Sequence, residues 1–153
     1  MRTPGAKPEI YHSLAQADYV TVLAVTRDAC VPLVRQFRPA IKEFSVELPG
    51  GIAESGENPA ATAERELFEE TGFRIVKPLV ELGCFAPDTG RLENRLWGYL
   101  ASDVEHDPNW QLESSVEPLH MSLCDFKHAV RDGSFNHALH ISLVAVALLR
   151  GLI

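Results

Sequence analysis

Residues 50–73 read GGIAESGENPAATAERELFEETGF, and the rest of the chain is organised around them. Asn58 is a typical N-cap, because its side-chain oxygen can accept a hydrogen bond from an unpaired backbone N–H. Pro59 suits the first helical position, where its missing N–H costs nothing. Gly72 stands where a left-handed residue can close the last helical turn. The stretch therefore predicts a glycine turn, a short acidic loop and one helix.

The predicted helix carries a row of carboxylates along one edge. Residues three and four apart share a helix face, so Glu66 and Glu70 are neighbours and Glu69 lies beside them. These carboxylates repel one another, but the cluster becomes favourable around a divalent cation, and Mg2+ prefers such oxygen ligands. A solvated acidic face is the simpler interpretation of the helix alone. The residues of the adjoining apolar stripe, which can pack on a sheet, are Ala60, Ala63, Leu67 and Phe68.

The spacing of the whole stretch goes beyond an acidic helix. A glycine is followed six residues later by a glutamate, and then by a helix with arginine and three glutamates that ends in a glycine. The positions in this pattern are Gly51, Glu57, Arg65, Glu66, Leu67, Glu69, Glu70, Gly72 and Phe73. The pattern resembles the Nudix box at every defining position. The resemblance implies an α/β Nudix fold, a mixed β-sheet sandwiched between α-helices, as a single domain over residues 1–153 with residues 1–8 as a flexible tail.

The resemblance also assigns a metal site to the box. Glu66, Glu69 and Glu70 would hold Mg2+, which Mn2+ can replace, and the carbonyl of Gly50 would be a further ligand. A metal bound there would screen the charge of a diphosphate and lower the pKa of a bound water. The chain would then be a hydrolase of phosphorus-containing acid anhydrides.

Two supporting roles and the general base follow from the same resemblance. Arg65 would orient the glutamates through paired hydrogen bonds, and Glu57 would hold Arg65 or bind a second ion. Members of the family take the general base either from the box or from a later loop, and the sequence leaves this choice open. The candidates are Glu113, which is preferred, Glu66, Glu117 and Glu93.

Segments on both sides of the box resemble the branch that acts on ADP-ribose and nucleoside-diphosphate sugars. These segments are Arg35-Gln36-Phe37-Arg38, Glu47-Leu48-Pro49-Gly50-Gly51, Pro87 at fifteen residues beyond Gly72, and Gly90-x-x-Glu93. The substrate-binding residues that the resemblance implies are Arg35, Arg38, Pro87 and Glu93. The simpler alternatives are that Pro87 is an ordinary turn proline and that Arg38 is a solvated residue at the end of a strand.

The function implied by this branch is Mg2+-dependent hydrolysis of the diphosphate linkage in ADP-ribose or a nucleoside-diphosphate sugar. The products would be a nucleoside monophosphate and a second phosphorylated compound. One alternative is a mutator-type pyrophosphohydrolase of nucleoside triphosphates. Another is a nucleotide-binding module that has lost catalysis, although the intact Glu66, Glu69 and Glu70 count against it. The branch also leaves open a homodimer.

Composition restricts the partners and the compartment. The net charge of −7 argues against a nucleic-acid partner, since surfaces that bind nucleic acid are usually basic. The longest mainly apolar run, from Ile141 to Leu149, is too short to span a bilayer, and the N-terminus shows no signal-peptide pattern. Cys30, Cys84 and Cys124 are scattered, which fits small buried side chains in a reducing cytoplasm.

The remaining pattern predicts a coarse series of elements. Residues 18–26 and 31–37 are expected to form a hairpin, with Pro32 at an edge or a bulge, and residues 102–115 are expected to form a loop. The other predicted strands are 43–48, 74–85, 96–101 and 116–121, and the other predicted helices are 123–131 and 136–150. The last helix has its predicted core face at Leu139, Leu143, Val146 and Leu149. His137 and His140 are interpreted as surface or core histidines rather than zinc ligands.

Overall fold

The computed structural model of the protein describes residues 10–54, 56–112 and 116–153. The elements assigned in these ranges are β1 (Tyr19–Thr26), β2 (Cys30–Arg38), β3 (Glu43–Glu47), β4 (Gly50–Ile52), α1 (Pro59–Thr71), β5 (Phe73–Arg74), β6 (Val80–Phe85), β7 (Leu96–His106), β8 (Glu117–Ser122), α2 (Leu123–Asp132) and α3 (Ala138–Leu149).

The strands form two sheets. The larger sheet has the order β4-β1-β7-β5, with β6 also paired to β7, and the smaller sheet has the order β3-β2-β8. The pairing of β1 with β7 is parallel, whereas the other named pairs are antiparallel. The architecture is therefore mixed.

Strand β1 is buried on both faces, and this places the helices. Val20, Val22 and Ala24 belong to one apolar cluster with Ala63 and Leu67 of α1. Leu23 lies on the opposite face, in a second cluster with Phe126 of α2 and Leu143 of α3. Because successive strand residues point to opposite faces, β1 separates the two cores. The sheet lies between helices, as predicted.

The predicted hairpin of residues 18–26 and 31–37 is wrong. Strand β1 pairs with β7 along its whole length and with β4 at Tyr19–Thr21, whereas β2 pairs with β3 and β8 in the other sheet. The chain turns at Thr26–Ala29 and passes into the second sheet. Pro32 is paired only with β8, because the pairing of β2 with β3 begins at Val34. That part of β2 is locally an edge, as proline requires.

Three other local predictions are wrong. The predicted loop starts too early, because β7 continues to His106, where it pairs with β5. The predicted core face of α3 is wrong at Leu149, which is 88% exposed, whereas Leu143 is fully buried and Leu139 and Val146 pack against the same core. The other buried residues of α3 are His140, Val144 and Ala147. Cys84 and Cys124 are exposed and Cys30 is partly buried, and none of the three forms a disulfide.

Within the described residues, no helix is both long and apolar enough to cross a membrane.

Candidate active site

The glycine turn and the carboxylate helix meet at Gly50. Helix α1 begins as predicted, with the side chain of Asn58 accepting a hydrogen bond from the N–H of Ala60, and ends at a left-handed Gly72. Strand β4 starts at Gly50, which lies opposite Thr21 in its pairing with β1. The N–H of Gly50 donates to Oε2 of Glu70 at 2.9 Å. The turn is therefore tied directly to the helix.

Gly51 is required by the position of Glu66. A Cβ placed on Gly51 would overlap the carboxylate of Glu66. Only a residue without a side chain lets the carboxylate lie against the backbone of the turn. The two glutamates one helical turn apart, Glu66 and Glu70, thus face Gly51 and Gly50 respectively.

Arg65 organises the exposed edge of the same helix. Its Nη1 donates to Oε1 of Glu66 at 2.8 Å and to Oε2 of Glu69 at 3.1 Å, and its Nε donates to Oε1 of Glu57 at 3.3 Å. The hydrogen bonds from Arg65 hold the pKa of Glu57 at about 2. Arg65 therefore contacts Glu57, Glu66 and Glu69 at once, and the orienting role given to it stays a prediction.

Burial opposes charge on the two inner glutamates. Desolvation raises the pKa of Glu66, although Arg65 works in the opposite direction. Desolvation, together with the charges of Glu66 and Glu47, raises the pKa of Glu70 to about 7. Glu70 is only 8% exposed, so it is not part of a solvated acidic face. The buried Glu70 and the partly buried Glu66 beside it fit a divalent cation, since carboxylate oxygens suit Mg2+ and its charge would favour their ionised forms.

A cavity of about 640 Å³ opens beside Glu70 and the glycine turn. Among the residues that line it are Gly50, Gly51, Glu70, Arg38, Glu47 and His137. Nε and Nη2 of Arg38 donate to the two carboxylate oxygens of Glu47 at 2.7 and 2.5 Å. Glu47 is almost fully buried, whereas the side chain of Arg38 is 46% exposed. The cavity is therefore lined by the carboxylate of Glu70, the glycine turn and the Arg38–Glu47 ion pair.

The other predicted substrate residues lie elsewhere. Arg35 donates to Glu117 at 2.8 Å and lies over the ring of Phe44, and it is not among the described residues that line this cavity. Glu93 accepts a hydrogen bond from Ser13. Pro87 precedes a turn in which the N–H of Gly90 donates to Asp88. The roles given to these residues stay predictions.

Residues 16–139 match the family model described as the NUDIX domain. The chain belongs to the Nudix family. It is 39% identical over 101 residues to an "ADP-ribose pyrophosphatase" of Bacillus subtilis (strain 168), covering 66% of this chain and 54% of that protein. It is 47% identical over 62 residues to an "ADP-sugar pyrophosphatase" of Mus musculus, covering 38% and 28% respectively. The chain thus spans about half, or less, of the length of these curated relatives.

The Nudix fold is also supported by a solved structure. The protein is similar to one titled "Crystal structure of ADP compounds hydrolase", with a TM-score of 0.73 and 20% identity, covering 88% of this chain and 74% of that one. At this level of identity the likeness concerns the fold alone. The predicted α/β Nudix architecture is confirmed.

The Nudix box does not settle the general base. Glu113 lies outside the described residues. Glu117 is engaged by Arg35 and Glu93 by Ser13. Glu66 is partly buried beside Gly51. The assignment of the base therefore stays a prediction.

Sequence reasoning missed a second polar group at the cavity. In the described part of the chain, one group of three ligating side chains has all its ligand atoms within 4.8 Å: Glu47, His137 and His140. His137 caps α3 by accepting from the N–H of His140 at 3.4 Å. His140 is buried, and it is the satisfied core histidine that the helix pattern allowed. No local sequence pattern could reveal this group, because Glu47 is far from both histidines in sequence.

The titration of Glu70 predicts how the stability of the metal-free Nudix domain depends on pH. A carboxyl whose pKa is about 7 in the folded state, against an ordinary 4.5, favours folding while it is protonated. This contribution is complete below pH 4.5 and is lost as the pH rises through 7, on the order of 3 kcal/mol in all. In EDTA, we expect Glu70→Gln to gain stability relative to the parent between pH 5 and 8.

Denaturant unfolding at several pH values measures this difference. Glu64→Gln is the matched control, because Glu64 is an exposed glutamate on the same helix. The free energy of unfolding of Glu64→Gln should differ from that of the parent by the same amount at every pH in this range. If the difference between Glu70→Gln and the parent were equally independent of pH, the buried, proton-binding state of Glu70 would be contradicted.

Proposed function

We propose that the protein hydrolyses the diphosphate linkage of a nucleoside diphosphate derivative, most directly ADP-ribose or a nucleoside-diphosphate sugar, in a Mg2+-dependent reaction. The observation that carries this proposal is the position of two carboxylates, the partly buried Glu66 and the buried Glu70, against the Gly50–Gly51 turn. The turn and Glu70 line the cavity. The names of the curated relatives support the substrate class.

The residues of the chain divide the work as follows. Glu66, Glu70 and the Gly50 carbonyl would hold the cation, and Glu69 would join them. A cation in this position supplies screening of the diphosphate charge and a bound water of lowered pKa. Arg65 keeps the side chains of Glu66 and Glu69 in place. Glu70 lines the cavity and is itself only 8% exposed.

An assay of the purified protein with Mg2+ tests the reaction. The panel contains ADP-ribose, several nucleoside-diphosphate sugars and the nucleoside triphosphates, each with and without EDTA. We expect a nucleoside monophosphate from the first two groups and no turnover in EDTA. Turnover of triphosphates alone would move the protein to the mutator-type alternative. Tight binding of the same compounds without any turnover would indicate a binding module.

Arg38 is proposed to hold the substrate phosphates in the cavity that Glu70 also lines. Its guanidinium is kept in place by Glu47 and is still half-exposed toward the cavity. Lysine cannot form the two parallel hydrogen bonds of a guanidinium. We expect Arg38→Lys to raise KM about tenfold, with kcat and the dependence on Mg2+ unchanged, because one charged hydrogen bond contributes about 1.5–3 kcal/mol.

The matched comparison is Arg35→Lys, which changes an arginine three residues earlier in the same strand. Steady-state kinetics of both variants with the same substrate decide the point. A larger KM effect at Arg35 than at Arg38 would place the substrate on the face of the β2–β3 pair where Arg35 lies over Phe44, outside this cavity.

A homodimer is proposed on the basis of the exposed apolar side chains at the β2–β3 hairpin. Phe37, Ile41 and Phe44 are each more than half exposed, and β3 is the edge strand of its sheet. Exposed apolar patches next to an open strand edge are typical of association surfaces. Sedimentation equilibrium measures the oligomeric state, and replacing Phe44 by Ser should weaken association.

The cytoplasmic location is proposed from the three scattered cysteines, which fit a reducing compartment.

A further inference from the structure

One histidine of α3 contacts both β1 and the segment that leads from β3 into the glycine turn. Nδ1 of His140 accepts a hydrogen bond from the N–H of Leu48 at 3.0 Å. Its Nε2 lies 3.4 Å from Oγ1 of Thr21. Thr21 is the residue opposite Gly50 in the β1–β4 pairing, and Leu48 comes two residues before Gly50. The imidazole of His140 thus connects Leu48, just before the glycine turn, to Thr21 of β1, which pairs with the turn.

The contacts of His140 determine where its proton lies. Because Nδ1 accepts from a backbone N–H, it carries a lone pair, and the proton of the neutral ring is on Nε2. Nε2 can then donate to the hydroxyl of Thr21. Burial, together with the neighbouring His137, lowers the pKa of His140 to about 3, so the ring stays neutral at ordinary pH. Both nitrogens are therefore in use.

The same ring belongs to the group of Glu47, His137 and His140, which raises the alternative of a zinc site. Three features oppose it. Nε2 of His140 carries a proton in the arrangement above. The rings of His137 and His140 are stacked, with centroids 3.7 Å apart and an interplanar angle of 25°, so their in-plane lone pairs run side by side instead of converging. Both oxygens of Glu47 already accept from Arg38.

We propose that His140 is a positioning residue for the metal-binding turn, fixing the backbone of Leu48 relative to Thr21 so that Gly50 and Gly51 meet Glu70 and Glu66. This inference rests on the proposed function, because that function makes the turn part of a metal site. Partners that orient metal ligands typically change metal affinity by 10–100-fold when they are removed. The effect of His140 should therefore appear in metal binding and not only in stability.

Mn2+ binding to the purified protein, followed by electron paramagnetic resonance without substrate, tests the proposal. We expect His140→Leu, which removes the acceptor, to weaken Mn2+ binding by about tenfold or more. His140→Asn keeps an acceptor near the position of Nδ1 and should recover most of the affinity. Leu143→Ala is the matched control, because Leu143 is fully buried one turn further along α3. It should lower the melting temperature and leave the affinity of the folded protein unchanged.

Measurements on the parent protein keep the proposal testable even if His140→Leu does not fold. Nitrogen-15 spectra of the His140 ring should show a proton on Nε2 and no titration between pH 5 and 8. The Leu48 amide should be protected from hydrogen exchange. A proton on Nδ1, an unprotected Leu48 amide, or a folded His140→Leu with the parent's Mn2+ affinity would each overturn the proposal.

Two further outcomes separate this proposal from the proposed function. If the parent hydrolyses its substrates but the His140 variants bind Mn2+ as the parent does, the positioning role alone is wrong. If the parent neither binds Mn2+ nor hydrolyses any compound in the panel, the proposed function is wrong and this inference falls with it. Zn2+ binding that is lost in both His137→Ala and His140→Leu would establish the zinc site instead and overturn the positioning role.

Discussion

Replacing Glu70 with glutamine should lower kcat/KM by at least about 100-fold while leaving the protein folded. The change keeps the size of the side chain and an oxygen that can accept from the N–H of Gly50. It removes the negative charge that would hold the cation, and metal assistance contributes several kcal/mol to such reactions. Glutamine also avoids the cost of a buried charge, so the loss of activity cannot be attributed to unfolding.

The measurement pairs steady-state kinetics with thermal melts of the same preparations. Glu64→Gln is again the control, since it makes the same replacement of a carboxylate by an amide at an exposed position of the same helix. It should retain the parent's activity. A Glu70→Gln variant that melts normally and works as well as the parent would show that this carboxylate has no part in the reaction.

Replacing Leu67 with alanine should have the largest effect on stability. Leu67 is fully buried in the cluster that joins α1 to β1 and β7, although it lies between Glu66 and the Phe68–Glu69 edge. Removing a buried leucine side chain costs about 2–5 kcal/mol, depending on how far the site can collapse. For a chain of this size, each kcal/mol lowers Tm by roughly 2–4 °C. Activity should follow the folded fraction.

Leu149→Ala is the matched comparison for Leu67→Ala, because Leu149 ends α3 and is 88% exposed. Its effect on the free energy of unfolding should stay within about 0.5 kcal/mol. Calorimetry or denaturant unfolding gives both values. Equal losses from the two variants would mean that α1 does not pack on the sheet through its leucine.

Helix α1 could be predicted because the sequence signals that mark it are local. Asn58, Pro59 and Gly72 mark its ends within the sequence, and the structure has the same cap residues. The spacing of Arg65, Glu66 and Glu69 likewise places their side chains within reach of one another on a single helix. Neither inference needed to know what the helix packs against.

The errors arise where strand pairing overrides local composition. Strand β7 continues through polar residues to His106 because β5 pairs with it, and no local pattern contains that partner. The predicted hairpin failed for the same reason, since β1 pairs with the distant strands β4 and β7, and β2 pairs with β3 and the distant β8. In the site, the pair of Arg38 and Glu47 and the contact of His140 with Leu48 join residues that are separated in sequence, so spacing could not reveal them.

The contact between Leu48 and His140 has a consequence for the order of folding. The two residues are 92 positions apart, whereas the cap of α1 joins residues only two apart. Closing a long chain segment costs more entropy than closing a short one, and such contacts form slowly. In a refolding experiment, helical circular dichroism should therefore recover before Mn2+ affinity does. On this view the glycine turn acquires its final shape only when α3 docks. Helix α1 then exists for a time without a complete metal site.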